Sequence, residues 1–169
     1  RLRVYGNVIP DWDALKKRNS EIDLAAAENG GDVPLASDMF FGHRQNLIMP
    51  GLAQDMSDGW ESQRRRGPGH DWCIVKLGTK GTITRVGIDT SHFKGNYPES
   101  CTLEGGISDG GDLGSVEWRE LLPMSKLQAH TRHTFADELC DLGDITHVRF
   151  NIFPDGGVSR LRLFGRIAG

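Results

Sequence analysis

The residues best suited to bind a small anion are three consecutive arginines. They are Arg64, Arg65 and Arg66, and they lie in residues 57–72, whose glycines and proline mark a loop. A guanidinium binds a carboxylate through two parallel hydrogen bonds, so the triplet predicts a carboxylate site. The same loop offers four further polar groups, Asp58, Glu61, His70 and Asp71. The alternative is a solvated turn with salt bridges to Asp58 and Glu61, but Trp60 and Trp72 favour a site.

A second loop, residues 89–99, places proton-transfer groups after a predicted strand. It contains Asp89, His92, Lys94 and Glu99. An imidazole exchanges protons near neutral pH, which suits His92 to general acid–base catalysis. Asp89 and His92 could also be two ligands of a metal whose other ligands come from elsewhere in the chain. Hydrogen bonds that only fix the loop are the structural alternative.

A third loop, residues 151–157, contains Asp155 in a Pro-Asp-Gly-Gly turn. Such a turn needs no function to explain it, but Asp155 is a candidate for the same rim as the other two loops. Nucleophile motifs of the Gly-x-Ser-x-Gly type are absent from the sequence, as are phosphate-binding loops.

Short strands must position these loops, because alternating and β-branched runs recur between glycine-rich breaks. Strands are predicted over residues 72–77, 82–89, 100–105, 118–122, 130–135, 146–153 and 158–164. The last two are expected to form a hairpin across the third loop. One short helix is predicted over residues 20–29, followed by the stop signal Gly30-Gly31. The pattern predicts an all-β, antiparallel jelly-roll β-sandwich with a short N-terminal helix.

The two ends of the sequence echo each other. Arg1–Gly6 is nearly repeated at Arg160–Gly165, and both copies alternate arginine with apolar residues. The echo predicts that residues 1–6 are the last strand of a preceding repeat and that residues 7–20 are a linker. Residues 21–169 would then be one repeat of a longer, duplicated protein.

Composition and charge narrow the function classes. The chain has 20 basic and 23 acidic residues and a net charge of −3, which argues against nucleic acid or an anionic membrane as a partner. No apolar run approaches the roughly 20 residues that span a bilayer. The three cysteines are an odd number and match no zinc spacing, which indicates a reducing, intracellular compartment.

The loop sequences closely resemble the allantoicase family. The matching pieces are residues 58–61, 64–72, 89–96, 98–101 and 148–157. The resemblance implies a galactose-binding-like jelly roll that occurs twice in one chain, with the second repeat present here. It also implies the family's reaction, which is hydrolysis of allantoate to ureidoglycolate and urea in purine degradation.

That reaction needs groups that hold a carboxylate, bind ureido groups and protonate a leaving urea. From these needs, we hypothesise that substrate is bound by Arg64, Arg65, Arg66, Asp58, Glu61, Asp71, Glu99 and Asp155. The candidates for catalysis are His70, Asp89, His92 and Lys94. No cofactor is predicted with certainty; a divalent metal is compatible with the reaction, although no ligand pattern indicates one.

The expected partners are allantoate, the other repeat of the same chain, and further copies in a homo-oligomer. The expected location is the cytoplasm. The last residues are not a Ser-Lys-Leu peroxisomal signal, but a longer native chain would leave a peroxisomal location open. The alternative function is a non-catalytic jelly-roll module that binds a small ligand or a carbohydrate, since a fold alone does not determine function.

Overall fold

The computed structural model describes residue 6 and residues 8–17, 21–108 and 112–169. Within these ranges the chain forms one short helix and ten strands, with three short 3-10 helices. The elements in chain order are α1 (Trp12–Lys17), β1 (Ile22–Asp23), β2 (Asp32–Ala36), β3 (Trp60–Glu61), β4 (Asp71–Asp89), β5 (Ser100–Gly106), β6 (Arg119–Lys126), β7 (Arg132–Phe135), β8 (Ile145–Phe153), β9 (Gly157–Val158) and β10 (Arg160–Ile167). In the described residues, no helix is both long enough and apolar enough to cross a membrane.

Strand β4 organises the fold because its first half belongs to one sheet of the sandwich and its second half to the other. Its first half, residues 71–76, pairs with β2 on one side and β8 on the other. Its second half, residues 81–89, pairs with β10 and β7. Strand β5 joins β8 to β6, and β1 extends the other sheet beyond β10. All of these pairings are antiparallel, so the predicted all-β, antiparallel sandwich is confirmed; one short N-terminal helix is present, but not at the residues predicted for it.

The two ends of β4 lie at the same end of the molecule. The amide of Asp71 donates to the carbonyl of Pro154, and the amide of Ser159 donates to the carbonyl of Asp89. Pro154 and Ser159 are five residues apart, and such a stretch spans at most about 17 Å. A straight strand of 19 residues, the length of β4, would span about 60 Å. Strand β4 therefore runs down one sheet, bends, and returns in the other.

Two glycines make this bend possible. A Cβ atom at Gly78 would lie 1.8 Å from the carbonyl oxygen of Asn29, and one at Gly81 would lie 2.3 Å from that of Arg166. Gly78 ends the strand predicted over residues 72–77, but the structure continues β4 through it. The glycine marks a bend with close backbone contact, not the end of a strand.

The core lies between the two sheets and is built from the inward-facing residues of each strand. Val75, Val86, Leu103, Phe150 and Leu163 all have no exposed surface. Burying one such side chain contributes about 1.5–3 kcal/mol, so the alternating pattern of the strands supplies the main stabilisation of the sandwich.

The helix predicted over residues 20–29 is wrong. Ile22 pairs with Gly165, and the carboxylate of Asp23 accepts the amides of Ala25 and Leu163. Leu24, with no exposed surface, packs in the core beside this pairing. These tertiary contacts override a helix propensity that is worth only tenths of a kcal/mol per residue. The one α-helix of the described residues is α1, inside the segment predicted as a linker.

The predicted hairpin across the third loop is also wrong. Strand β8 pairs with β4 and β5, while β10 pairs with β4 and β1. The turn crosses from one sheet to the other because other loops bind it: Gly156 accepts the amide of Ser62, and Gly157 donates to the carbonyl of Asn96. Most of the first copy of the terminal echo lies outside the described residues, so only the second copy is seen, as β10.

Candidate active site

Three loops meet in one open cleft of about 620 Å³ at the end of the sandwich where β4 begins and ends. They are the loop between β3 and β4, the loop between β4 and β5, and the turn between β8 and β9. The polar side chains that line the cleft are Glu61, Ser62, Arg64, Arg65, Asn96, Tyr97, Glu99 and Asp155. The structure thus brings the three predicted loops together.

Phe93 holds the three loops to one another. Its ring has no exposed surface and packs against two glycines from the other loops. A Cβ atom at Gly157 would lie 1.9 Å from this ring, and one at Gly59 would lie 2.8 Å from it. Any side chain at these positions would displace the ring, so glycine is required for the close approach.

Arg65 is fixed by two carboxylates. Its backbone amide donates to Asp155 at 2.7 Å, and its guanidinium donates to Asp71 at 2.5 Å. Asp71 is only 1% exposed, and it also accepts a hydrogen bond from the hydroxyl of Ser37. A buried carboxylate needs a paired cation, so Asp71 lies behind the cleft and orients Arg65.

Arg64 differs from Arg65 in having no such partner. Its side chain is exposed and lines the cleft, and among the described residues it makes no side-chain hydrogen bond or salt bridge. Its guanidinium therefore retains its full capacity to bind an anion. Arg66 is exposed as well, but it is not part of the cleft lining. The three consecutive arginines therefore differ in their surroundings: among the described residues, Arg64 lines the cleft unpaired, Arg65 lines it paired with Asp71, and Arg66 lies outside it.

The cleft also offers hydrogen-bond acceptors. The amide nitrogen of Asn96 donates to the carboxylate of Glu61 at 2.5 Å, which leaves the Asn96 amide oxygen as an acceptor. Glu99 and Asp155 add two more carboxylates to the lining. The cleft thus combines cationic groups with hydrogen-bond acceptors.

Four residues predicted to be catalytic lie outside this cleft. His70 is in a smaller cavity of about 270 Å³ on the outer face of the sheet. Its ring packs against Phe153, and its Nε2 lies 3.2 Å from the amide oxygen of Asn151. Asp89 is 7% exposed and accepts the amide of Ser91.

His92 and Lys94 line a third, shallow cavity beside Asp55, Ser57 and His130. Hydrogen bonds from Ser57 lower the pKa of Asp55, so this carboxylate is ionised at neutral pH. Nε2 of His92 donates to the carbonyl of Ala53. The cavity shares no lining residue with the main cleft, although Lys94 adjoins Gly95 in its wall.

Asp58 has a structural contact. Its carboxylate pairs with the guanidinium of Arg160 at 2.9 Å, and Arg160 is 3% exposed. Arg160 also donates to the carbonyls of Asn46, Gly51 and Asp58. It ties the loop before β3 to the start of β10, and Asp58 does not line the cleft.

Sequence reasoning did not single out Asn96, Tyr97 or Ser62. Asn96 and Tyr97 lie inside the second loop, residues 89–99, where the acidic and basic side chains are the stronger sequence signal for chemistry. Ser62 has no sequence signal, because its role comes from the turn at Gly156, 94 residues away, whose amide donates to its hydroxyl.

The described residues do not fit a metal centre. No three His, Cys, Asp or Glu side chains in these ranges are grouped so as to hold an ion. The three cysteines are free, and burial raises the pKa of the Cys101 thiol to about 12, so this thiol is not a metal ligand or nucleophile at neutral pH.

Comparison with known proteins places the chain in a defined group. A family model described as the allantoicase repeat matches residues 22–168. A "Probable allantoicase" of Pseudomonas fluorescens is 51% identical over 99% of this chain and 52% of its own length. One of Pseudomonas aeruginosa is 55% identical over 98% of this chain and 51% of its own length. The chain spans about half the length of the curated relatives it matches.

Solved structures agree with the fold. An allantoicase from Saccharomyces cerevisiae superimposes with a TM-score of 0.80 at 38% identity, over 95% of this chain and 45% of that one. A family 32 carbohydrate-binding module of Clostridium perfringens superimposes with a TM-score of 0.64 at 9% identity, over 88% of this chain and 97% of the module. This second likeness extends to the fold alone.

Proposed function

Because this chain belongs to the allantoicase family, we propose that its protein hydrolyses allantoate to ureidoglycolate and urea. In this reaction, water supplies an oxygen to the carbon that carries both ureido groups. The bond from that carbon to one nitrogen breaks, and the nitrogen leaves as urea after it takes up the proton that the water gives up. The observation that carries the proposal is the cleft, where an unpaired arginine faces carboxylates and an amide.

Arg64 is the group we assign to the substrate carboxylate. It is the arginine of the triplet that lines the cleft without a protein carboxylate of its own. Arg65 supports it: Asp71 and Asp155 hold its guanidinium and backbone, and its buried Nε has no partner among the described residues. Two guanidinium groups in one wall give a carboxylate both charge and direction.

The hydrogen-bond acceptors of the cleft suit the ureido groups, which are rich in N–H donors. Glu61, Asn96 and Glu99 supply acceptors there. Asn96 already holds Glu61 in place, so their relative orientation is set before a ligand binds. We assign to Glu99 the transfer of a proton to the leaving nitrogen. Its carboxyl lines the cleft and makes no hydrogen bond within the described part of the chain.

His70, Asp89, His92 and Lys94 remain sequence predictions for catalysis, and their positions do not favour them. None lines the cleft, and Asp89 is 7% exposed. No step of the proposed mechanism is assigned to a metal, since the described residues offer no group of ligands for one.

A second repeat is the partner we propose, because the curated relatives are about twice as long as this chain. Assembly of several copies and a cytoplasmic location stay predictions from the sequence. The likeness to carbohydrate-binding modules is at 9% identity and does not carry a sugar-binding role to this chain.

Substitution within the arginine triplet tests the proposal. Arg64→Gln is expected to weaken allantoate binding about ten- to a hundredfold, because a charge-assisted hydrogen bond contributes about 1.5–3 kcal/mol. Arg66→Gln, its matched control, is expected to have a much smaller effect. Binding is measured by calorimetry and turnover by urea release. Equal losses in both variants would contradict the assignment, and a wild type that neither binds allantoate nor releases urea would refute the function.

A further inference from the structure

The connection between β6 and β7 is fastened to the loop that follows β4. The hydroxyl of Thr90 donates to the carbonyl of Gln128 and accepts the amide of Thr131. The amide of Thr90 donates to the carbonyl of Thr131, and the amide of His130 donates to that of Phe93. We call residues 128–133 the clasp. The loop it holds continues into residues 95–99, which form one wall of the cleft.

One bond of the clasp requires an unprotonated ring nitrogen on His130. The backbone amide of His92 donates to Nδ1 of His130 at 2.8 Å. A backbone N–H can only donate, so Nδ1 must present its lone pair and carry no proton. Protonation of His130 at this nitrogen removes the acceptor and leaves the His92 amide without a partner.

His133 is constrained still more tightly. Its Nε2 accepts the backbone amide of Gln128 at 2.9 Å, and its Nδ1 lies 3.1 Å from the carbonyl of Ile88. A carbonyl can only accept, so Nδ1 carries the proton and Nε2 carries none. The clasp therefore needs His133 in a single neutral tautomer.

The backbone at the clasp is held in an unfavourable conformation. His92 has φ 72° and His130 has φ 49°, the two positive φ values of non-glycine residues in the described chain. Such conformations cost about 1–3 kcal/mol and persist where surrounding contacts enforce them. The histidine bonds belong to the contacts that enforce them here.

The charged surroundings of the two rings differ. His130 faces its partner His92 together with Lys94 and Asp55. His133 lies in a basic groove on the outer sheet face, and the charged groups there are Arg85, Asp89, Arg132, Arg160 and Arg162. His130 is exposed and His133 is half-buried, so solvent protons can reach either ring.

We propose that neutral His130 and His133 are positioning residues that hold the 95–99 wall of the cleft and release it when they are protonated. On protonation, His130 loses the hydrogen bond from the His92 amide, and His133 loses the one from the Gln128 amide. Freed from the clasp, the left-handed turn at His92 relaxes, and Phe93 and Asn96 follow it. The proposal concerns the wall itself and holds whatever the cleft binds.

Amide hydrogen exchange, normalised to intrinsic rates, tests this in the folded chain. Between pH 7.5 and pH 5.0, protection of the His92 and Gln128 amides is expected to fall at least tenfold. Protection of the Gly157 amide, which donates to Asn96 in the wall, is expected to fall with them. Amides in the pairing of β4 with β8 are expected to stay protected, which distinguishes release from unfolding.

The matched variant is His130→Asn. Asparagine tolerates positive φ, and its amide oxygen accepts an N–H bond at any pH. In this variant the His92 amide should keep its protection within threefold across the pH range, while the Gln128 amide, still held by His133, should remain sensitive to pH. An equal fall at His92 in both proteins overturns the proposal. The wild type alone gives a second test. If the imidazole nitrogen chemical shifts show that both rings are protonated while the His92 and Gln128 amides keep their protection, the proposal is overturned.

Discussion

Asp71 is the residue on which the arginine side of the cleft depends. It is 1% exposed, and its charge is compensated by Arg65 and the Ser37 hydroxyl. The same carboxylate would be a poor ligand for substrate, because the Arg65 guanidinium stands between it and the cleft. Its contribution is to hold a cation in one orientation.

Asp71→Asn should therefore weaken folding and disorder Arg65 together. We expect the free energy of unfolding to fall by about 1–3 kcal/mol, since the charged hydrogen bonds to a buried carboxylate are lost. Denaturant unfolding measures this. Asp137→Asn, at an exposed position, is the control and should change stability by no more than about 0.5 kcal/mol. Equal stability of the two variants would contradict the buried ion pair.

At the scale of residues, the sequence indicates which loops carry candidate groups but not how those groups are arranged. The arginine triplet, Glu99 and Asp155 are all sequence candidates, and of these Arg66 does not line the cleft. Loop residues have no periodicity, so spacing cannot tell which arginine turns inward. His92 was favoured for its chemistry, but its Nε2 is committed to the Ala53 carbonyl and its amide to His130.

At the scale of elements, the loops are joined through one aromatic ring. Phe93 comes from the loop after β4 and packs where Gly59 precedes β3 and Gly157 begins β9. The small strand pair of β3 and β9 forms beside it. This packing makes the three loops a single unit.

Gly157→Ala tests that packing. The new Cβ would lie 1.9 Å from the Phe93 ring, so the ring or the turn must move. We expect a loss of about 1–3 kcal/mol in unfolding free energy, as for overpacked cores, and weaker ligand binding. Gly67→Ala is the control, because a Cβ there meets nothing within 4 Å. Wild-type stability in Gly157→Ala would contradict the proposed role of the ring.

Alternation of residue types predicted most of the strands, since the inward side of each is buried. It located β5, β8 and β10 to within a few residues. Local sequence patterns failed for residues 20–29, where helix-forming residues such as Leu24 pack in the core without forming a helix. They also failed for the turn before β9, where the chain passes from one sheet to the other. Both failures depend on contacts with distant segments, which local patterns do not contain.

At the scale of the whole molecule, the bend in β4 creates the cleft. Because this strand returns to the end from which it started, the loops before and after it meet, and Asn96 donates to Glu61, which is 35 residues away in the chain. The bend depends on backbone contact at Gly78 and Gly81, which the sequence shows only as glycines in a strand.

The family match covers residues 22–168, so this sandwich is a repeat unit of proteins about twice its length. The cleft is open and has its own cation and acceptors within one repeat. Our account therefore places ligand binding in a single repeat, and a second repeat would add to this site rather than complete its arginine side.

The most direct test of this account is a map of allantoate binding from backbone amide chemical shifts of this chain. We expect the shifts to cluster at residues 61–65, 95–99 and 154–156, the three segments that line the cleft. Shifts confined to the His92 and His130 cavity, or to the His70 and Asn151 cavity, would contradict it. The absence of any shift at saturating allantoate would contradict it equally.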